Sequence, residues 1–196
     1  VIFSQFALVA VILLAMASLV LLISQNWRWS IAAIAVQYLG VFWLVGLHWS
    51  LGLAAVKLVA GWMAGAVLTA SQATTELADE TFSDLSGRIF RSLAAAMVLV
   101  LALSLQPSIA AFIPARPPVL QGGLVLIGMG LLQLGMTTRP LRVVLGLLTV
   151  LSGFEVLYAV VESSLLVAGL LAMTTLGLAL AGAYLLTAPG EEEEAP

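Results

Sequence analysis

Seven stretches of apolar residues follow one another between Phe3 and Thr187, each close to the roughly 20 residues that carry a helix across a bilayer, with only short polar turns between most of them. A soluble core has no room for so many. Apolar residues make up 62% of the 196 and charged residues 9%, whereas a soluble domain dresses its surface with roughly a quarter charged residues. Lipid is therefore the solvent. Hydrocarbon offers no partner to a free backbone amide, and the runs lack the alternation of a barrel strand, so each is read as a helix. The expected fold class is all-α: a polytopic membrane protein with seven transmembrane helices. Soluble enzymes, nucleic-acid binders and, since cysteine is absent, disulfide scaffolds are excluded.

Turn formers and charges place the spans at Phe3–Ile23, Ser30–Leu47, Leu51–Ala70, Arg88–Leu105, Val119–Met136, Leu141–Val161 and Ser164–Thr187. Gln106-Pro107 is expected to close the fourth, and Pro114, Pro117 and Pro118 to keep the next loop out of helix. Ser50, Ser163 and Ser164 are candidate N-caps. The short turns at His48-Trp49-Ser50 and Glu162-Ser163-Ser164 predict antiparallel neighbours. No basic stretch precedes the first run and no cleavage site leads into a soluble domain, so a signal peptide is not expected. A chain opening at valine is expected to lack an initiator segment.

Lysine and arginine set the orientation. Arg28, Arg88, Arg91, Arg139 and Arg142 follow the odd-numbered spans one, three and five, against Arg116 alone on the other side. This predicts a cell (inner) membrane protein with its N-terminus outside and its C-terminus cytoplasmic. Trp27, Trp29 and Trp49 fall at the expected interfaces. Residues 75–91 read as an amphipathic surface helix, with Leu77, Phe82, Leu85 and Ile89 on one stripe and acids ahead of Arg88 and Arg91. It is either an interfacial linker or a docking site for a peripheral cytoplasmic partner. The tail 188–196, with Glu191 to Glu194, reads as a disordered acidic end.

Spans one to three laid over five to seven at an offset of 113 residues bring Gly40 onto Gly153 and basic turn onto basic turn. A 3+1+3 parallel repeat is one reading, with units 1–71 and 119–187 joined by 72–118. Chance alignment of apolar sequence is the other.

Two ionisable side chains lie inside spans. Lys57 is seven residues past Ser50 and Glu155 seven before Glu162, so at about 1.5 Å per residue both lie about 10 Å below the outer face. Each costs at least about 2.5 kcal/mol facing lipid near the centre. They either pair, directly or through water, or Lys57 snorkels outward while Glu155 is hydrogen-bonded at a helix contact. The depth of Lys57 favours snorkelling, and the stemless Glu155 carboxyl favours a function. Gln37 and Gln133 join them as candidates for a proton path or as helix glue. A metal or haem at His48 would want a second histidine, and the chain has one. No cofactor is expected. Gly61 and Gly65 form a GxxxG step, and Gly128, Gly146 and Gly153 are further packing candidates.

The segment Leu131 to Ala168 carries a helix, the basic turn Thr138-Arg139-Pro140-Leu141-Arg142, and Gly146-Leu147 through Gly153-Phe154-Glu155-Val156-Leu157. This arrangement resembles the small NuoK-type membrane subunit of complex I and its relatives in Mrp cation/proton antiporters and membrane-bound hydrogenases. The resemblance implies that Glu155 matches the family's membrane glutamate used in proton transfer. A second family glutamate has no counterpart, since Ser163 to Gly190 holds no acid. The resulting expectation is a non-catalytic subunit of an ion-translocating or redox-linked complex, partnered by other integral membrane subunits and lipid. A purely structural or assembly subunit and an independent small transporter are the alternatives.

Overall fold

The structure is a computed structural model describing residues 6–73 and 85–188. Among the described residues there are seven α-helices and no strand: α1 Ala7–Ile23, α2 Trp27–Val45, α3 Leu51–Ala73, α4 Leu85–Ala110, α5 Pro117–Gly135, α6 Pro140–Tyr158 and α7 Leu165–Thr187. Six are long and apolar enough to cross a membrane, and α1, at 17 residues, is a shorter apolar helix. The architecture is that of an all-helical, multi-pass membrane protein. Most of the expected surface helix and nearly all of the acidic tail lie outside the described residues; Leu85 to Arg91 form the first turns of α4.

The boundaries differ from the sequence expectation where local chemistry extends or trims a helix. Asn26 starts α2 three residues early, because its side chain accepts a hydrogen bond from the Arg28 amide at 2.9 Å. Pro107 does not end α4, which continues to Ala110. Its missing amide frees the carbonyl of Leu103, one turn earlier, and a membrane helix tolerates that loss. Pro117 and Pro118 open α5 instead of sitting in the loop. The first helical positions have no intrahelical use for an amide, so proline suits them. Ser164 caps α7 by accepting from the Val167 amide at 3.3 Å. Ser163 does not cap it; its amide and that of Ser164 both donate to the Glu162 carboxylate at 3.0 Å.

The helices form two facing rows. In one, α1 packs on α2 and α2 on α3; in the other, α5 packs on α6 and α6 on α7. Across the rows α1 meets α5, α2 meets α6 and α3 meets α7, while α4 lies outside against α5 and α1. Both ends are tied. Trp49 Nε1, between α2 and α3, donates to the Glu162 carbonyl at 2.8 Å. At the opposite end the Arg142 guanidinium donates to the Ser24 carbonyl. Trp49 is thus a buried brace between two helix ends.

Glycines set the closest approach. A Cβ on Gly153 would lie 2.7 Å from the Gly123 carbonyl oxygen and 2.8 Å from the Ile127 amide nitrogen. One heptad away on each helix, a Cβ on Gly130 would lie 2.8 Å from the Val150 nitrogen and 2.9 Å from the Gly146 carbonyl oxygen. Backbone therefore meets backbone along α5–α6. Gly128 receives Val98 of α4, a Cβ there falling 2.7 Å from its Cγ1. Of the predicted GxxxG step only Gly61 is required small, against Tyr38; a Cβ on Gly65 would make an ordinary 3.8 Å contact with Ile31.

The apolar interior divides in two. One cluster joins Leu14, Val41, Leu44, Trp49, Ala54, Val156, Ala159 and Ala168 at the Trp49 end. The other joins Leu21, Ile34, Ala64, Leu68, Leu141, Leu145, Leu148 and Ala179 toward the Arg142 end. A third, smaller cluster, with Ala95, Ala102, Val125 and Met129, seats α4.

Candidate functional site

Between the two main clusters each of the five helices that contribute to both carries a buried polar side chain. Along α1 it is Ser18, on α2 Gln37, on α3 Lys57, on α6 Thr149, Ser152 and Glu155, and on α7 Thr175. Each stands in sequence between a residue of one cluster and a residue of the other. The result is a polar layer sandwiched within the bundle.

At its heart Lys57 forms an ion pair with Oε1 of Glu155. Both residues are 1% exposed, so the lysine stem runs inward and the expected snorkelling does not occur. An isolated charge at this depth is prohibitively placed, and mutual neutralisation with added hydrogen bonds is what lets two charges stay. Thr175 supplies one, its Oγ1 lying 3.4 Å from Oε1 of Glu155. The other carboxylate oxygen, Oε2, is buried without a hydrogen-bond partner.

Tyr38 reaches the same place from α2. Its hydroxyl has Glu155, Ser152 and Thr175 as electrostatic neighbours, yet it too is buried without a hydrogen bond of normal geometry. Ser152 turns its hydroxyl proton to its own helix, onto the Leu148 carbonyl at 2.7 Å, and the single Thr175 proton is shared between Glu155 Oε1 and the Leu171 carbonyl at 3.0 Å. Gln37 ties three helices. It accepts from Ser18 Oγ and its Nε2 donates to Thr149 Oγ1, both at 3.4 Å.

Gln133 belongs elsewhere. It is buried at the far end of the α5–α6 hairpin, where its Nε2 donates to the Arg142 carbonyl at 2.9 Å. Of the four sequence candidates the structure therefore brings together Lys57, Glu155 and Gln37 within one layer and leaves Gln133 at a helix junction.

Tyr38, Ser152, Thr149, Thr175 and Ser18 escaped the sequence reading. One signal was available: Thr149, Ser152 and Glu155 recur every three residues, which stacks them on one face of α6. Ser18, a lone hydroxyl in its helix, and Thr175, beside the exposed Thr174, carry no such mark.

At the Trp49 end His48 sits in the turn between α2 and α3. Burial, and then the positive charge of Arg116, hold its imidazole below the ordinary histidine value of 6.5. Among the described residues no group of three histidine or acidic side chains is placed to hold a metal ion. No family model, curated protein or solved structure matches the chain.

Proposed function

We propose that this chain is a non-catalytic membrane subunit of a larger ion-translocating or redox-linked complex, in which Glu155 contributes to a proton path. The observation that carries the reading is a lysine–glutamate pair buried among further hydroxyls and an amide, at a depth where a purely structural contact needs no charge. Proton transfer needs a carboxyl held among polar groups in a low dielectric, and Glu155 has Lys57, Thr175, Ser152 and Tyr38 around it. The resemblance of Leu131 to Ala168 to the NuoK-type subunit points to the same residue. Neighbouring subunits are supported by α4, of which 11% of the spanning window is buried within the chain while Leu93, Met97 and Val100 project outward. In this reading all seven helices cross the membrane. The arginine-poor end, holding His48, Arg116 and Glu162, is the outer one, and the row-on-row pairing of helices four apart descends from a duplicated three-helix unit.

Glu155→Gln tests the proposal in the native membrane. Ion coupling of the assembled complex is expected to be lost, while blue-native electrophoresis of a gently solubilised sample shows the chain still at the mass of the complex. A second reading, a structural subunit, is favoured by the apolar clusters above and below the layer; coupling that survives Glu155→Gln would establish it. Migration of the chain alone would turn the assignment toward an independent transporter.

A further inference from the structure

We propose that Tyr38 is a second polar partner of Glu155, joined to its free carboxylate oxygen through one buried water, and that Gly61 is the socket holding the phenol in place. The inference deepens the proton-path reading and rests on it for its functional meaning, but its structural content stands on geometry.

Three observations converge. The Tyr38 hydroxyl and Glu155 Oε2 are both buried and both lack a hydrogen bond of normal geometry, and the Tyr38 ring lies against Gly61, one turn from the lysine that pairs with Glu155. A buried polar group left unpaired is costly, so two such groups in one layer call for a common partner. Ser152, next to the hydroxyl, has spent its proton on Leu148 and keeps a lone pair free. One water satisfies this set. It accepts from Tyr38, donates to Glu155 Oε2, and donates its second proton to the Ser152 hydroxyl oxygen, which falls within the two to four partners that buried waters hold.

The third observation explains why the phenol is there. Gly61 stands four residues after Lys57, one turn along the same face of α3. A Cβ on Gly61 would run into the Tyr38 ring itself. The ring is thus seated flush on the α3 backbone directly beneath the lysine, and any larger residue drives it away from Glu155. Gly61 is a positioning residue for the layer and not only a packing glycine.

The test is infrared difference spectroscopy on the full chain in lipid across a pH step, in ordinary water and in oxygen-18 water. The Glu155 bands are identified as those lost in Glu155→Gln. In Tyr38→Phe, which keeps the ring, the carboxyl bands are expected to shift, and an oxygen-18-sensitive water stretch present in the wild type is expected to vanish. Gly61→Ala, which keeps both polar groups, is expected to do the same by displacing the ring. Unchanged carboxyl bands in Tyr38→Phe overturn the link. A carboxyl shift with no oxygen-18-sensitive band lost overturns the water and leaves a direct bond. Coupling that survives Glu155→Gln while the Tyr38→Phe shift is present sinks the proton-path reading and spares the link; loss of coupling with no shift does the reverse.

Discussion

Helices α4 and α6 have nearly the same claim to be membrane spans, with mean hydropathies of 2.0 and 1.7, yet 11% of one spanning window is buried within the chain and 56% of the other. Hydropathy finds both and cannot tell them apart, because lipid tails are as apolar as a neighbouring helix. What separates them is the side chains that lipid would reject or that a neighbour would need. On α6, Thr149, Ser152 and Glu155 demand polar partners, and Gly146 and Gly153 admit a second backbone. The middle of α4, by contrast, offers leucine, methionine, valine and alanine, and meets the bundle along Ala95, Val98 and Ala102. Position in a membrane bundle is written in the exceptions to apolarity.

The comparison is broken most forcefully at the ion pair. Lys57→Leu leaves Glu155 buried without its counter-charge, a loss expected to cost about 3–5 kcal/mol, read as a large fall in the unfolding midpoint in detergent. Lys57→Leu with Glu155→Leu is expected to recover much of it, since an apolar pair needs no compensation; no recovery in the double variant would mean that the pair does not act as a unit.

A smaller effect is expected at the glycine seam. Gly153→Val pushes a side chain into the Gly123 carbonyl and the Ile127 amide, and forced overpacking of this kind costs about 1–3 kcal/mol. Gly177→Val on α7, where a Cβ meets nothing within 4 Å, is the control and is expected to be near neutral. Equal losses at the two sites would remove the distinction between required and incidental glycines.

His48 gives a pH-dependent effect smaller again. Its imidazole titrates below 6.5 in the folded chain and at about 6.5 when unfolded. Between those values the unfolded state binds more protons, so stability falls as pH drops from 6.5 toward the folded value and is level below it. The slope of the unfolding midpoint over this acidic window is expected to flatten in His48→Gln. An unaltered slope would move the titration to another group.

The smallest effect is expected on α4. Leu93→Ala or Met97→Ala, at residues 69% and 72% exposed, should change the stability of the isolated chain by about 0.5 kcal/mol or less. The same variants are expected to weaken retention of neighbouring subunits in the complex. A large loss in the isolated chain would show that α4 is held far more tightly than its contacts suggest.

Much of this was legible before any fold was known, and for definite reasons. Apolar runs and their punctuation located all seven helices to within a few residues, because backbone satisfaction in lipid leaves the chain no other option. Equal depth singled out Lys57 and Glu155 as possible partners. Whether they pair was not legible: depth alone suits a snorkelling lysine, and only the packing of α2, α3, α6 and α7 aims the stem inward. The role of Tyr38 was hidden for a similar reason, since its meaning depends on a glycine in another helix. Gln133 and Gln37 looked alike as single amides, and tertiary placement alone put one at a hairpin base and the other among three helices.

The glycine seam has a consequence for motion. With carbonyls and amides seated against each other from Gly123 to Gly153 and from Gly130 to Gly146, α5 and α6 have no side-chain cushion along which to slide, so the hairpin moves as one plank. Glu155 is bolted to that plank, while Lys57 and Thr175 ride on the closely packed α3 and α7. A relative shift of plank against pair would tug on the salt link, turning one ammonium–carboxylate contact into a latch between them.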